Sequence, residues 1–315
     1  MVSIFIPYYW QGWSHSFDYP DDIIHYVRHP GNHLRFFGGH KKKITMQLEQ
    51  TQFRKIKQFI RYAIKRKQSG EDYFNFQRFQ GQLIIARIKE YMNLDKPISI
   101  LDVGSGIGGY VYELAQMEDA YVVSLDKNPL PIALQRYQQI SRKTKKGKLH
   151  TFLKKNAKIV LNSNKIAVIE GDITQSPLRD DVFDIIIASG VIEHVKDQDK
   201  MIKECHRMLK KDGLFYLSFP PYYSPTGGHS ISPFHYLPGK IPFLLYKKFH
   251  IKDHESFVYY GLIKTTLRSI KKQIKGLFDI VDITPRLFNF LKPFLAISIV
   301  NEVISHHVEF LLKKI

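Results

Sequence analysis

The sequence predicts an α/β protein in which a mostly parallel sheet is covered by helices on both faces. Three observations carry this prediction: apolar runs of strand length, helical patterns between most of them, and a glycine-rich turn after the first. Strands buried on both faces are apolar throughout, whereas half-exposed strands alternate between apolar and polar residues. Five such runs follow Pro97, at residues 98–103, 121–125, 166–169, 183–188 and 213–219.

The regions on either side of these strands complete the predicted organisation. We expect an N-terminal cap over residues 1–92, irregular at first and then helical, followed by one large domain over residues 93–315. The other predicted elements are helices at 46–67, 76–91 and 259–273 and strands at 278–283 and 307–312.

The chain is strongly basic, with 47 Lys and Arg against 29 Asp and Glu residues and a formal net charge of +18. The charge is concentrated in residues 41–67 and in a predicted basic insertion near residues 142–165. This balance favours a polyanionic partner, which could be RNA, an anionic membrane surface or a phosphorylated substrate. Lysine-rich solvated faces explain the charge equally well. The single cysteine, Cys205, excludes an internal disulfide. Because no signal peptide is recognisable, we expect a cytoplasmic protein, with peripheral membrane attachment as an option.

The sharpest local signal is the turn that follows the first strand. Residues 98–109 read Ile-Ser-Ile-Leu-Asp-Val-Gly-Ser-Gly-Ile-Gly-Gly, and a helical pattern comes next. Glycines at Gly104, Gly106 and Gly108 let the backbone approach a ligand, because no Cβ intervenes. The N–H groups that open the following helix suit a carboxylate or phosphate. Dinucleotide-binding enzymes have similar turns, so the turn alone does not define the chemistry.

Acidic and small residues at the next strand ends narrow the choice. Asp126 ends the second strand, where a carboxylate can accept both ribose hydroxyls of an adenosine. Asp172 follows the third strand and is placed to accept from an adenine amino group. The fourth strand ends in Ser189 and Gly190. Dehydrogenases share the first pairing, so only the third and fourth ends favour methyl transfer over hydride transfer.

Five elements in this order resemble the class I S-adenosylmethionine-dependent methyltransferases, and most of all the type 11 group that includes the ubiquinone- and menaquinone-pathway enzymes. The resemblance covers residues 75–220 and extends more loosely over 250–315. It implies a Rossmann-like, seven-stranded, mostly parallel sheet with an antiparallel last strand. The matching elements are residues 101–108, 125–126, 171–173, 189–195 and 208–215.

The resemblance also implies S-adenosylmethionine as the cofactor and assigns residues to its parts. The methionine end would contact Asp102, Gly104, Gly106 and Gly108. The ribose would be held by Asp126, the adenine amino group by Asp172, and the ammonium group by the carbonyl region of Ser189. Lys127 and Ile173 would also contact the cofactor.

The acceptor should lie outside the carboxyl ends of the strands, against the loops after strands four and five. His229 and, second to it, His194 are the candidate catalytic bases, because histidine titrates near neutral pH. Both also have structural interpretations, as do Tyr222 and Tyr223 on the same side. We predict no metal site, because the neighbouring His306 and His307 would point to opposite faces of a strand.

The sequence leaves three functions open. The first is methyl transfer to an oxygen or carbon of a small or lipid-linked acceptor, with the cap, residues 1–92, either shaping the pocket or covering one face of the sheet. The alternative enzyme is an RNA methyltransferase whose basic segments contact phosphates. The third is a cofactor-binding protein without turnover. The acceptor, the methylated atom and the oligomeric state are not encoded in any pattern that we recognise.

Overall fold

A computed structural model describes residues 54–65, 69–141, 148–229, 232–239, 241–249, 262–286, 289–297 and 300–315. Its centre is one sheet whose strand order is β3-β4-β2-β1-β5-β6-β8-β7. Strands β4, β2, β1, β5 and β6 run parallel, while β8 is antiparallel to both of its neighbours, and β3 is antiparallel to β4. The strands are β1 Ile98–Val103, β2 Ala120–Asp126, β3 Lys158–Asn162, β4 Ile166–Glu170, β5 Phe183–Ser189, β6 Leu209–Phe219, β7 Phe278–Pro285 and β8 Val308–Lys314.

Side-chain caps fix the beginning of several helices. The Ser69 hydroxyl accepts from the Asp72 N–H at 3.0 Å, and Thr266 and Ser269 form a reciprocal capping box. Such caps satisfy N–H groups that have no partner inside the helix. The helices are α1 (54–65), α2 Gly70–Lys89, α3 Gly109–Leu114, α4 Pro131–Ser141, α5 Gln198–Met208, α6 Ile241–Phe249 and α7 Leu267–Ile274.

Helices bury both faces of the sheet, as the continuous apolar runs predict. In β1, Leu101 packs on the face covered by α5 and α7, and Ile100 packs on the opposite face, under α2, α3 and α4. Both side chains are completely buried. Burial of one such side chain contributes about 1.5–3 kcal/mol, so the two apolar layers hold the strand ends in fixed relative positions.

All seven predicted strands are present, and the antiparallel strand lies between β6 and β7. The predicted total of seven is wrong, because β3 adds an eighth strand to the described sheet. The first three residues of β3 are exposed and it pairs only with β4 at the edge, so it carries no buried apolar run. The helix predicted at 259–273 begins only at Leu267, after the Thr266 cap.

Two parts of the predicted organisation fall partly outside the described residues. Residues 1–53 and 142–147 belong to the cap and the basic insertion, respectively. Among the described residues, no helix has both the length and the apolar character needed to cross a membrane.

Candidate functional site

The glycine turn between β1 and α3 adopts a conformation that side chains disfavour. The φ angles of Gly104, Gly106 and Gly108 are +71°, +53° and +90°. The turn is joined to β2 through the Gly104 N–H, which donates to the Leu125 carbonyl at 2.8 Å. Glycine populates positive φ without steric cost, so this sequence fixes the path of the backbone here.

Neighbouring side chains pack tightly against two glycines of the turn and leave the third open. A Cβ at Gly104 would lie 2.7 Å from a methyl carbon of Val191, and one at Gly108 would lie 2.5 Å from the Tyr137 hydroxyl. A Cβ at Gly106 would meet nothing closer than the Gln77 amide nitrogen at 3.9 Å. The open space at Gly106 is therefore where a ligand can approach the backbone.

Helix α2 covers the start of α3, which the sequence did not reveal. The Gly109 N–H donates to the Gln77 side chain at 3.0 Å, and the Tyr110 hydroxyl donates to Gln80. The Gly109 N–H is therefore already bonded to protein. This differs from the prediction that the N–H groups at the start of the helix are available to a ligand. Both glutamines are buried, so the described end of the predicted cap helps to shape the turn.

Asp102 is buried at the end of β1 and has an unusual environment. Its side chain is 1% exposed, and its Oδ2 atom has no hydrogen-bond partner among the described residues. Burial, with a smaller contribution from the charge of Asp126, raises the pKa of Asp102 well above its usual value. A buried polar oxygen without a partner is costly, which is consistent with a group that is completed by a ligand.

Asp126 ends β2 beside the turn, as predicted. Its Oδ2 accepts from the Gly106 N–H at 3.0 Å, and its Oδ1 accepts from the Asn128 N–H at 2.9 Å. A carboxylate has about four lone-pair sites, so both oxygens retain acceptor capacity for ribose hydroxyls. The bond to Gly106 ties the predicted ribose ligand to the predicted methionine-binding turn.

Asp172 and Lys127 meet at the ends of β4 and β2. The Lys127 Nζ atom lies 2.9 Å from Asp172 Oδ2, while Asp172 Oδ1 accepts from the N–H and hydroxyl of Thr174. Burial alone would raise the pKa of Asp172, but the bonds from Lys127 and Thr174 outweigh it, and the pKa lies below its usual value. Asp172 thus caps the short helix Ile173–Gln175 and stays ionised at the predicted adenine position.

Ser189 ends β5 in a buried polar network that includes a residue missed by the sequence reasoning. The Ser189 hydroxyl donates to the Tyr110 hydroxyl at 3.2 Å and accepts from Arg286 at 3.0 Å. The Arg286 side chain is only 4% exposed and also pairs with Glu309 at 2.9 Å. It donates to Ser218 as well, so one guanidinium group joins the ends of β5, β6 and β8.

The two candidate histidines are neighbours on the acceptor side. The ring centroids of His194 and His229 lie 5.1 Å apart at an interplanar angle of 78°. His229 Nε2 lies 3.6 Å from Oε1 of Glu193, whose side chain is 2% exposed. Burial lowers the pKa of His194, Glu193 opposes that effect, and His229 adds to it. The prediction that both loops meet at the acceptor side is consistent with this geometry. The sequence places Glu193 in the first of these loops but assigns it no role.

The loop after β6 is closely packed around its two glycines, Gly227 and Gly228. A Cβ at Gly227 would lie 2.1 Å from the Pro221 carbonyl, and one at Gly228 would lie 2.3 Å from the His235 ring. Glycine at these two positions therefore permits the close packing of the loop. Tyr222 donates from its hydroxyl to the His235 carbonyl at 2.9 Å, which gives it a structural role.

Three of the described lysines of the basic insertion contact the protein itself. Lys154 and Lys158 form ion pairs with Asp180 and Glu170, and Lys165 donates to the Met117 carbonyl at 2.8 Å. Exposed pairs of this kind are weak. They still give these three side chains partners other than a polyanion.

Comparison with known proteins identifies the class of the central segment of the chain. Residues 101–217 match the family described as "Methyltransferase domain", and this segment runs from the glycine turn to β6. The segment is therefore a methyltransferase domain, that is, an enzyme domain with S-adenosylmethionine as its cosubstrate.

Proteins of similar sequence are named as methyltransferases. The chain is 31% identical over 150 residues to a sterol 24-C-methyltransferase of Aspergillus fumigatus, covering 45% of this chain and 35% of that protein. It is 34% identical over 73 residues to a Mycobacterium tuberculosis protein named "Probable S-adenosylmethionine-dependent methyltransferase", covering 22% of this chain and 27% of the other. The chain thus spans about a third of the length of these relatives.

The solved structures that are similar to this chain include an S-adenosylmethionine-dependent methyltransferase from Mesorhizobium loti. It is 14% identical, its TM-score is 0.47, and the match covers 74% of this chain and 98% of the other.

Proposed function

We propose that the whole chain transfers a methyl group from S-adenosylmethionine to an oxygen or carbon of a small, lipid-like acceptor. The observation that carries this proposal is the bond between Asp126 and the Gly106 N–H. It joins the ends of β1 and β2 inside the segment that matches the methyltransferase family. The carboxylates of Asp102 and Asp126 and the open glycine turn then lie along one edge of the sheet. These groups suit a nucleoside with a methionine tail.

Different residues are assigned to different parts of the cofactor. Asp126 and Lys127 lie at the ribose position, Asp172 and Ile173 at the adenine, and Asp102, Gly104, Gly106 and Gly108 at the methionine end. Ser189 lies where the ammonium group is expected. When bound, S-adenosylmethionine supplies an activated methyl group on a sulfonium. The chain's own contribution is to align donor and acceptor and to exclude water.

We assign the acceptor proton to His229, with His194 as the second candidate. The acceptor lone pair forms a bond to the methyl carbon while the carbon–sulfur bond breaks, and its electrons stay on the sulfur of S-adenosylhomocysteine. The proton released by the acceptor passes to the base. A positioned base accelerates such a step by about 10²- to 10⁴-fold.

The names of the sterol methyltransferase relatives support a lipid-like acceptor. The predicted likeness to ubiquinone- and menaquinone-pathway enzymes, the cytoplasmic location and peripheral membrane attachment remain predictions. The contacts of Lys154, Lys158 and Lys165 with protein groups do not support the RNA alternative.

The test supplies purified protein and methyl-labelled S-adenosylmethionine to lipid, aqueous metabolite and RNA fractions of cells. Label should enter the lipid or metabolite fraction, and label in RNA alone would reject the proposal. His229→Ala should lower turnover by about 10²- to 10⁴-fold and leave S-adenosylhomocysteine binding unchanged. His150→Ala, at an exposed position of the short helix Leu149–Phe152, is the matched control and should retain activity.

A further inference from the structure

The loops after β5 and β6 bring three metal-binding side chains together. Glu193, His194 and His229 each offer one ligand atom, and these atoms all lie within 4.8 Å of one another. No other group of three or more His, Cys, Asp or Glu with this spacing occurs among the described residues. Since His229 is 35 positions beyond His194, the sequence gives no local sign of the group.

The environment of Glu193 independently supports a cation-binding site. Its side chain is 2% exposed, and neither carboxylate oxygen has a hydrogen-bond partner among the described residues. Burying a carboxylate without partners is strongly unfavourable, and buried charges are usually paired or coordinate a metal. His229 Nε2 lies 3.6 Å from Glu193 Oε1, which is longer than a hydrogen bond.

From this geometry we infer that Glu193, His194 and His229 form a binding site for a divalent transition-metal cation such as Zn²⁺. Two histidines with one glutamate are a ligand set found in catalytic zinc sites, which keep a further coordination position open. Ligand atoms around a tetrahedral zinc ion lie about 3.4 Å apart, given bond lengths of about 2.0–2.1 Å. The distance of 3.6 Å between Glu193 Oε1 and His229 Nε2 is close to this spacing, and the ligand atom of His194 lies within 4.8 Å of both.

The backbone holds all three residues in place. The His194 N–H donates to the Val191 carbonyl at 2.8 Å, and the Glu193 carbonyl accepts from the Ile263 N–H at 2.7 Å. His229 has a φ of +50°, and its N–H donates to the Thr226 carbonyl at 3.0 Å. A positive φ is uncommon for a residue other than glycine, so the turn that presents this ring is specifically shaped.

The metal site has one consequence for methyl transfer. Only this consequence, and not the metal site itself, rests on the proposed function. A bound cation lowers the pKa of a hydroxyl at its open position, which favours an acceptor with a hydroxyl group over one that reacts at carbon. In a metal-loaded protein the histidines would hold the cation, and the proton of the acceptor hydroxyl would pass to solvent. The assignment of His229 as the base then applies to the metal-free protein.

The experiment measures Zn²⁺ binding directly, by calorimetry on the full chain after chelator treatment. We expect one equivalent to bind, and we expect Glu193→Gln and His229→Gln each to weaken binding. Losing even a group that supports a ligand weakens metal binding by about 10- to 100-fold, so losing a ligand should cost at least that. His150→Gln should bind Zn²⁺ like the unmodified chain.

Two further readouts keep the outcomes distinct. Thermal unfolding without metal reports whether each variant is folded. Co²⁺ should give visible absorption typical of four-coordinate sites in the unmodified chain and in His150→Gln, but not in Glu193→Gln or His229→Gln. No Zn²⁺ binding by the unmodified chain, or equal binding by folded His229→Gln, would overturn the inference. S-adenosylhomocysteine binding is measured in parallel. If it fails while Zn²⁺ still binds, the proposed function is rejected and the metal site stands.

Discussion

Replacing Asp126 by alanine should separate a ligand-binding carboxylate from a purely structural one. The side chain is half-buried at the end of β2, and it already accepts from the Gly106 and Asn128 N–H groups. Hydrogen bonds to a charged group contribute about 1.5–3 kcal/mol. Losing those to the ribose should therefore weaken S-adenosylhomocysteine binding by about 10- to 150-fold, at about 1.4 kcal/mol for each factor of ten.

The structure also provides the controls. Asp126→Asn keeps an acceptor for the Gly106 N–H but removes the charge, so its affinity should fall between those of the unmodified chain and Asp126→Ala. Asp119→Ala changes the same residue type just before β2, at the exposed amino end of the strand, and should bind normally. Calorimetry gives the affinities, and denaturant unfolding confirms that each variant is folded. Unchanged affinity of a folded Asp126→Ala would refute the assignment of this residue to the ribose.

Two further predictions concern the scaffold of the site. Gly108→Ala should lower the free energy of unfolding by about 2–4 kcal/mol, because a Cβ at φ +90° would strain the backbone and press on Tyr137. Gly239→Ala, where φ is +62° and no atom lies within 4 Å, should show only the backbone cost of about 1–2 kcal/mol. Arg286→Met should lower it by about 3–5 kcal/mol, because Glu309 then keeps a largely buried charge without its partner. Removing the exposed pair of Lys313 and Asp212 by Lys313→Met should lower it by less than about 1 kcal/mol. Denaturant titrations check both pairs, and equal losses within either pair would contradict the reasoning.

The sequence predicted the fold well where local pattern reports burial. Strands β1, β2, β4, β5 and β6 are buried on both faces, so each appears as an apolar run. The edge strand β3 has no such run, because its first three residues face solvent. Asp126 was predictable because its position depends only on where β2 ends.

Other parts of the site depend on contacts between distant residues. Arg286 donates to Ser189 across 97 positions of the chain, and Gln77 bonds to Gly109 across 32. No spacing rule connects such pairs, because they meet only after the sheet and its helices have assembled. Glu193 stands beside a residue that the sequence did single out, and only its burial distinguishes it.

The most direct test of the account is a calorimetric titration of the full chain with S-adenosylmethionine, S-adenosylhomocysteine and NAD. The glycine turn and Asp126 would suit any of the three, since all contain an adenosine. The methyltransferase domain over residues 101–217, with Asp172 and the 189–195 stretch, predicts that the first two ligands bind and that NAD does not. Tight NAD binding without binding of S-adenosylhomocysteine would contradict the account at its centre.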